Sequence, residues 1–229
     1  MQVWHWDGFF DYLLNAYLLE GAIISVVLTV ASLACGLVIG VGIAVMRLSG
    51  RPVLAGFAHA YCWLFRGTPL LVQLLVIYTG LPLLGLKFSV WQAALLGLSL
   101  NEGAYLSETV RAGIMSVAKG QREAALALGL RPRQVFRLVV WPQALRVIIP
   151  PLGNSVNGLL KTTSICSTIS LEELLRRTQI LIQERFMVLE LFIVAALYYL
   201  VLTTIWDFFQ RRLERRYGRG WGTEAADRR

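Results

Sequence analysis

Long uncharged stretches separated by short clusters of charge set the plan of this chain. From Gly21 to Met46 no charged residue occurs, and Glu20 and Arg47 bracket the run. A bilayer core of roughly 30 Å needs about 20 helical residues, so this run predicts a spanning helix. Gly67 to Leu86, between Arg66 and Lys87, predicts a second. The apolar piece before it, Val53 to Phe65, ends at Arg66-Gly67-Thr68-Pro69, where proline disfavours continued helix, and reads as an interfacial elbow or helical extension. A third span starts near Phe88 and runs past Asn101 and Glu102 towards Val110. Val147 to Leu171, whose one charge is Lys161, predicts a fourth, and Leu191 to Trp206 a fifth, extendable to Phe209. The longest connection, 113–146, predicts a helix starting near Gly120 with Glu123 in its first turn and Gly129 as its stop. A turn at Arg131-Pro132 and a second amphipathic piece, Gln134 to Val140, stopping at Trp141-Pro142, complete it. The expectation is an all-α membrane domain of five spans over residues 1–210, with a basic tail at 211–229.

Composition agrees with that plan. With 56% apolar and 16% charged residues and a mean hydropathy of +0.60, a disordered chain, a disulfide scaffold and an ordinary cytosolic enzyme are excluded. The net charge of +8 is distributed by side. Of 22 Lys and Arg, seventeen fall in the first connection, the 111–146 segment and the tail. Lys87, Arg176, Arg177 and Arg185 fall on the other side, and Lys161 within the bilayer. The positive-inside rule then places the N-terminus outside and the C-terminus in the cytoplasm. Topology and anionic lipid account for the basic charge, and nucleic acid is not needed. The start does not read as a cleaved signal peptide, since no basic region precedes the first apolar run.

Catalytic chemistry is not legible. There is no Gly-Lys-Ser/Thr phosphate loop, no His-Glu-x-x-His and no Cys-x-x-Cys, and Gly153 to Gly158 does not fit a nucleophile elbow. His5 and His59 read as interfacial or packing residues. Cys35, Cys62 and Cys166 read as small buried apolar residues. No metal site, cofactor or catalytic residue is expected in this chain, so uphill transport would need an ion gradient or another subunit.

Polar groups inside a membrane point to a path. A lysine near a helix centre costs about 2.5–3.5 kcal/mol, so Lys161 should face the protein interior. With Pro150-Pro151 as the start of the fourth span, Lys161 lies roughly 15 Å deep, and Glu102 lies about 21 Å from the outer end of the third. They suit the carboxylate and ammonium of an amino acid, or pair with each other. Asn101, Tyr105 and Glu108 share a helix face; Asn101 and Tyr105 suit pocket closure, and Glu108 with Arg111 an i, i+3 ion pair. Arg66 reads as a snorkelling anchor with a gate role. Trp4, Trp6, Trp63, Trp141 and Trp206 fall near the expected interfaces.

Glu123-Ala124-Ala125, three residues, Gly129, nine residues, Val139-Val140-Trp141-Pro142 resembles the coupling-loop motif of ABC importer permeases, Glu-Ala-Ala, three, Gly, nine, Ile, any residue, Leu, Pro. Val139 and Trp141 depart from it while remaining apolar. Arg66 to Leu74, Pro142-Gln143-Ala144-Leu145-Arg146, Pro150 to Asn154 and Leu159 to Ser164 resemble blocks of the polar amino-acid uptake subfamily, the histidine, glutamine and cystine type. The matches run in family order from about Gly21 to Trp206. The resemblance implies a type I importer permease of the cytoplasmic (inner) membrane. Its implied partners are a second permease copy or paralogue, two cytoplasmic ATPases carrying ATP and Mg, and a periplasmic or lipid-anchored binding protein that delivers an amino acid. It assigns Glu123, Ala124, Ala125 and Gly129, with Arg122 beside them, to ATPase coupling, and it supports a substrate site in the region of the polar residues read at membrane depth, namely Asn101, Glu102, Tyr105, Lys161, Thr162 and Ser164. Glu102 stands where relatives often have a small or hydroxyl residue, and Thr162 where they often have Asp. The rival from another class is an ion-gradient-driven secondary transporter with Glu102 titrating, which predicts inverted repeats that this sequence does not show.

Overall fold

The computed structural model describes residues 4 and 6–217, and every regular element among them is helical. A short α1 (Trp6–Leu13) precedes the 33-residue α2 (Ala16–Leu48), whose N-terminus is capped by the Asn15 side chain accepting from the N–H groups of Tyr17 and Leu18. His5 and the tail beyond residue 217 lie outside the described residues.

The expected break at Pro69 is a sharp bend. α3 (Pro52–Gly67) and the helical run 70–84, which begins with α4 (Leu70–Leu75), meet at 103°. Pro69 has no N–H, so the carbonyl of Phe65 four residues earlier loses its helical donor. Gln73 Nε2 at 2.9 Å and Asn101 Nδ2 at 3.0 Å supply donors to it. Gln73 Nε2 also reaches Thr68 Oγ1 at 2.8 Å, and its Oε1 accepts from Asn101 at 3.1 Å. Gln73→Leu removes the Gln73 bonds at a buried position, leaving only Asn101 on the Phe65 carbonyl, and is expected to lower stability by about 2 kcal/mol, read as the melting temperature in detergent. An unchanged transition would mean that the bend holds without its amides.

α5 (Val90–Met115) starts at a capping box between Ser89 and Gln92. Then follow α6 (Lys119–Ala127), the single turn α7 (Pro132–Val135) and α8 (Trp141–Thr162), extended by a 3-10 segment to Ile169. Here two expectations are corrected. The amphipathic piece does not stop at Trp141-Pro142, and the fourth span does not start at Pro150-Pro151: one helical run covers Pro132–Ile169. A π turn at Phe136–Val140 ends two residues before Pro142, as another at Val76–Gly80 does before Pro82. The wider i→i+5 turn removes the clash between a proline ring and the carbonyl one α-turn earlier. Pro150 and Pro151 sit inside α8 itself. Two helices close the chain, α9 (Leu174–Arg185), which the hydrophobic pattern did not announce, and α10 (Val188–Tyr217), which passes the expected boundary at 211 without a break.

Among the described residues three helical runs are long and apolar enough to cross a membrane, Gly8–Leu48, Pro132–Ile169 and Val188–Arg216, with the bent pair as a fourth. α5 has the length, 26 residues, but carries Asn101, Glu102, Glu108 and Arg111. It packs on α2 along a seam of small residues: Ser32, Gly36 and Gly40 are buried on one side, Ser99, Gly103 and Ser107 on the other. Such stripes let helix backbones approach closely in an apolar medium.

Polar clasps hold the remaining helices. Asn157 Nδ2 donates to Asp207 at 2.7 Å, and Gln210 Nε2 to Asn154 at 3.0 Å, joining α8 to α10. Trp206 donates to the Gly153 carbonyl at 2.8 Å and so takes part in that helix contact. α9 is tied to α2 by Arg177, which reaches Glu20 at 2.7 Å and the Tyr17 carbonyl at 2.9 Å. Its buried N-cap, Glu173, lies between the 132–169 and 188–216 runs and accepts from Tyr199 at 2.8 Å. Burial raises the Glu173 carboxyl above its ordinary range, opposed by the N–H groups of Leu175 and Arg176 and the hydroxyls of Tyr199 and Ser25. Cys62 and Cys166 are buried as expected, but Cys35 is exposed.

Candidate functional site

The residues singled out in the sequence fall into three groups. The first lies on α5. Asn101 is engaged in the bend at Pro69, with its amide on Phe65 and Gln73. Glu102 is half-buried where α5 meets α2 and α8; Gly36 lies against its Cβ, and Ser155 is its hydrogen-bonding partner. Tyr105 is exposed, with the Arg66 guanidinium 5.4 Å from its ring centroid.

The second group lies at the end of α8. Lys161 is exposed in the last turn, and Ser164 donates to its carbonyl at 2.6 Å. Thr162 is half-buried beside it. Lys161 follows Ser155 by six residues, about 9 Å along a helix axis. The structure therefore does not bring Lys161 to Glu102, and among the described ion pairs none joins them. Exposure of Lys161 on a single chain is itself a departure from the expected interior position, and an amino-acid-sized ligand would have to bridge the gap or touch one group alone.

The third group is α6. Ala125 is buried in the apolar cluster that also holds Val135 and Val140 of the 132–140 segment, Ala144 and Ile148 of α8, and Val110 and Ile114 of α5. Arg122 donates to the Ile114 carbonyl, and Gln143 of α8 to Gln121 at 2.5 Å. Glu123, Ala124, Leu126 and Leu128 point away from the protein, Leu128 at 84% exposure. Glu123 is at the fifth helical position and not in the first turn, because α6 begins at Lys119. Gly129 follows with φ +81°, a left-handed conformation that closes the helix and that side chains with a Cβ rarely adopt. The element is thus braced on one face against the ends of two long helices and bare on the other.

A helix presented in that way at the basic end of a helical bundle is the decisive element when the chain is set beside known proteins. Residues 36–219 match the model of the family described as binding-protein-dependent transport system inner membrane component. The chain belongs to this family. The permease is 37% identical over 233 residues to the arginine transport system permease protein ArgU of Corynebacterium glutamicum, covering 96% of this chain and 74% of that one. To the glutamine transport system permease protein GlnP of Escherichia coli K12 it is 39% identical over 201 residues, 87% of this chain and 92% of the relative. A crystal structure of an amino acid ABC transporter with histidines superposes with TM-score 0.88 at 35% identity, over 94% of the permease and the whole of that chain. An inward-facing MetNI methionine ABC transporter shares the fold, with TM-score 0.74 at 20% identity. The permease is an integral membrane protein of the type I ABC importer fold.

Residues that the hydrophobic pattern did not point to are the Gln73 amide, the α2–α5 seam and the α8–α10 clasp. The clasp had a readable signal: Asn154 with Asn157, and Asp207 with Gln210, are both i, i+3 pairs on apolar helices, and such pairs face a partner.

Proposed function

We infer that this permease is the translocating subunit of an ATP-driven importer of a polar amino acid, and that α6 carries the drive from the ATPase. The observation that carries this reading is the two-faced α6, anchored through Ala125 to α5 and α8 and bare at Glu123, Leu126 and Leu128. A push on α6 reaches the inner ends of α5 and α8 through packed side chains and the Arg122 and Gln143 hydrogen bonds, without a flexible linker between. In the proposed topology the bundle has five spans, counting α5 and the bent pair, with the N-terminus outside and α6 in the cytoplasm. ATP and Mg sit on a separate pair of ATPase subunits. A second permease copy or paralogue completes the path, and an external binding protein loads it. The relatives' cargoes, arginine and glutamine, support a polar amino acid as cargo.

Within this scheme Glu102 holds the ammonium group and Lys161 the carboxylate, each with hydroxyl neighbours at Ser155 or at Thr162 and Ser164. Lys161→Ala is expected to lose uptake by tenfold or more, about 1.4 kcal/mol, while the ATPase still copurifies. Unchanged uptake would leave Lys161 a residue of the helix end only. The class of transporter is tested by gentle purification from the native membrane and mass identification of what copurifies. A subunit with a phosphate loop, together with ATP-dependent uptake in vesicles, is expected. A lone chain whose uptake follows an ion gradient would overturn the reading in favour of a secondary transporter.

A further inference from the structure

At the basic end of the bundle, arginines from three helices converge on one carboxylate. Glu108 Oε2 receives Arg111 Nε at 3.1 Å and its Nη2 at 3.0 Å. Arg47 and Arg66 share the other oxygen, Arg66 at 3.2 Å. Three guanidiniums against one carboxylate leave two positive charges in excess.

The excess is directed. Arg47, Arg66, Glu108, Tyr105 and Trp63 line an open depression of about 420 Å³, whereas Arg111 closes Glu108 from behind. His59, in the same wall, adds no acceptor for a further arginine. Its Nδ1 lies 2.6 Å from the Ala55 carbonyl, which can only accept, so the proton sits there, and Nε2 at 3.3 Å is already an acceptor for Arg47. Arg47 Nε is buried without a hydrogen-bond partner, and the Arg66 side chain is 43% exposed. Arg66 therefore offers an open guanidinium fork to the cavity and Arg47 a second positive charge in its wall, with a single shared carboxylate oxygen between them, a donor set suited to a phosphate.

The rim distinguishes a lipid from a free ion. Trp63 is 78% exposed at the mouth of the depression, and Val53 and Phe57 are exposed along the same helix. A cationic pocket opening onto an apolar, tryptophan-marked helix face matches an amphiphile with an anionic head. We propose that Arg47 and Arg66 bind the headgroup phosphate of an anionic phospholipid, whose acyl chains lie along the exposed face of α3. The lipid supplies the negative charge that this corner lacks and joins α3 to the inner end of α5. The inference rests on the membrane placement of the bundle and is independent of the cargo.

The test uses the whole purified transporter in bilayer discs containing phosphatidylglycerol and phosphatidylcholine, with native mass spectrometry of the lipids retained after extraction. The wild type is expected to retain phosphatidylglycerol preferentially. Arg66→Gln should lower the retained ratio about fivefold, the effect of one basic residue at an anionic surface. Arg66→Lys should restore part of it, and Arg185→Gln on α9 should leave it unchanged. Equal retention by wild type and Arg66→Gln would overturn the proposal. So would displacement of the lipid by millimolar inorganic phosphate, which would make this a free-anion site. A disulfide-linked dimer formed by Trp63→Cys in membranes would also overturn it, by showing a second copy on this face. A folding defect in Arg66→Gln is separated from loss of binding by its melting temperature and by the Arg66→Lys rescue.

Discussion

Gly40→Leu is expected to force α2 from α5 and to remove about 3 kcal/mol of stability, while Gly42→Leu, two residues away, leaves the permease unchanged. A Cβ at Gly40 would lie 2.9 Å from Leu106 Cβ and 3.0 Å from both the Gly103 carbonyl oxygen and the Ser107 nitrogen. Two of these three atoms are backbone, so no rotamer change relieves the contact, and the helices must part. Around Gly42 nothing lies within 4 Å of the added Cβ. Parting the seam also exposes Ser32 and Ser99, both buried in it, and shifts Glu102, which lies against Gly36 one turn away. The measurement is the melting temperature of the two variants in the same detergent, with the amount recovered from membranes as a second readout. Equal transitions would mean that the seam is loosely packed and that α2 and α5 are held by other contacts.

Glu123→Lys is expected to abolish the coupling of ATP hydrolysis to transport while the permease still inserts and folds. Glu123 is exposed on the bare face of α6 and takes part in none of the described ion pairs, so its replacement removes no contact within the chain. Reversing its charge places a cation in the surface proposed to meet the ATPase. A central interface residue is worth about 2 kcal/mol or more, roughly thirtyfold in affinity. The readouts are substrate-stimulated ATPase activity and copurification of the ATPase, with the melting temperature as the control for folding. Leu128→Asp, at the exposed end of the same face, should behave alike. Full coupled transport in both variants would reject α6 as the contact. Gly129→Val acts differently, because it strains the left-handed turn and misdirects the whole of α6.

The long apolar helical runs were legible because a membrane-spanning helix must be apolar over about 20 residues, whatever packs beside it. The same holds for the break at Pro69 and the short helix ending at Gly129, which are local matters of donors and backbone conformation. The helix through Pro142, Pro150 and Pro151 was not legible in this way. At Pro142 a π turn in front of the ring relieves the clash, whereas Pro150 and Pro151 sit within α8 with no such turn before them, choices made by the surrounding packing. α9 was hidden for a related reason: its stability comes from Arg177 and Glu173 bound to α2 and α10, partners far away in sequence.

The candidate site divides along the same line. Which residues are polar inside the membrane is written in the chain, since each such residue stands out against an apolar background, and Glu102, Lys161 and Asn101 were found in this way. What each polar group touches was decided only by the tertiary structure. Asn101 turned out to serve the carbonyl left unpaired by Pro69, Glu102 to meet Ser155 and not Lys161, and Glu108 to gather Arg47 and Arg66 as well as its helical neighbour Arg111. By itself the sequence determined an all-helical membrane protein with a short helix ending at Gly129, because hydropathy and turn chemistry act over a few residues. Only the tertiary structure decided which charges are neutralised and which remain in excess, because ion pairs and hydrogen bonds between helices depend on rotation and depth that no local pattern records.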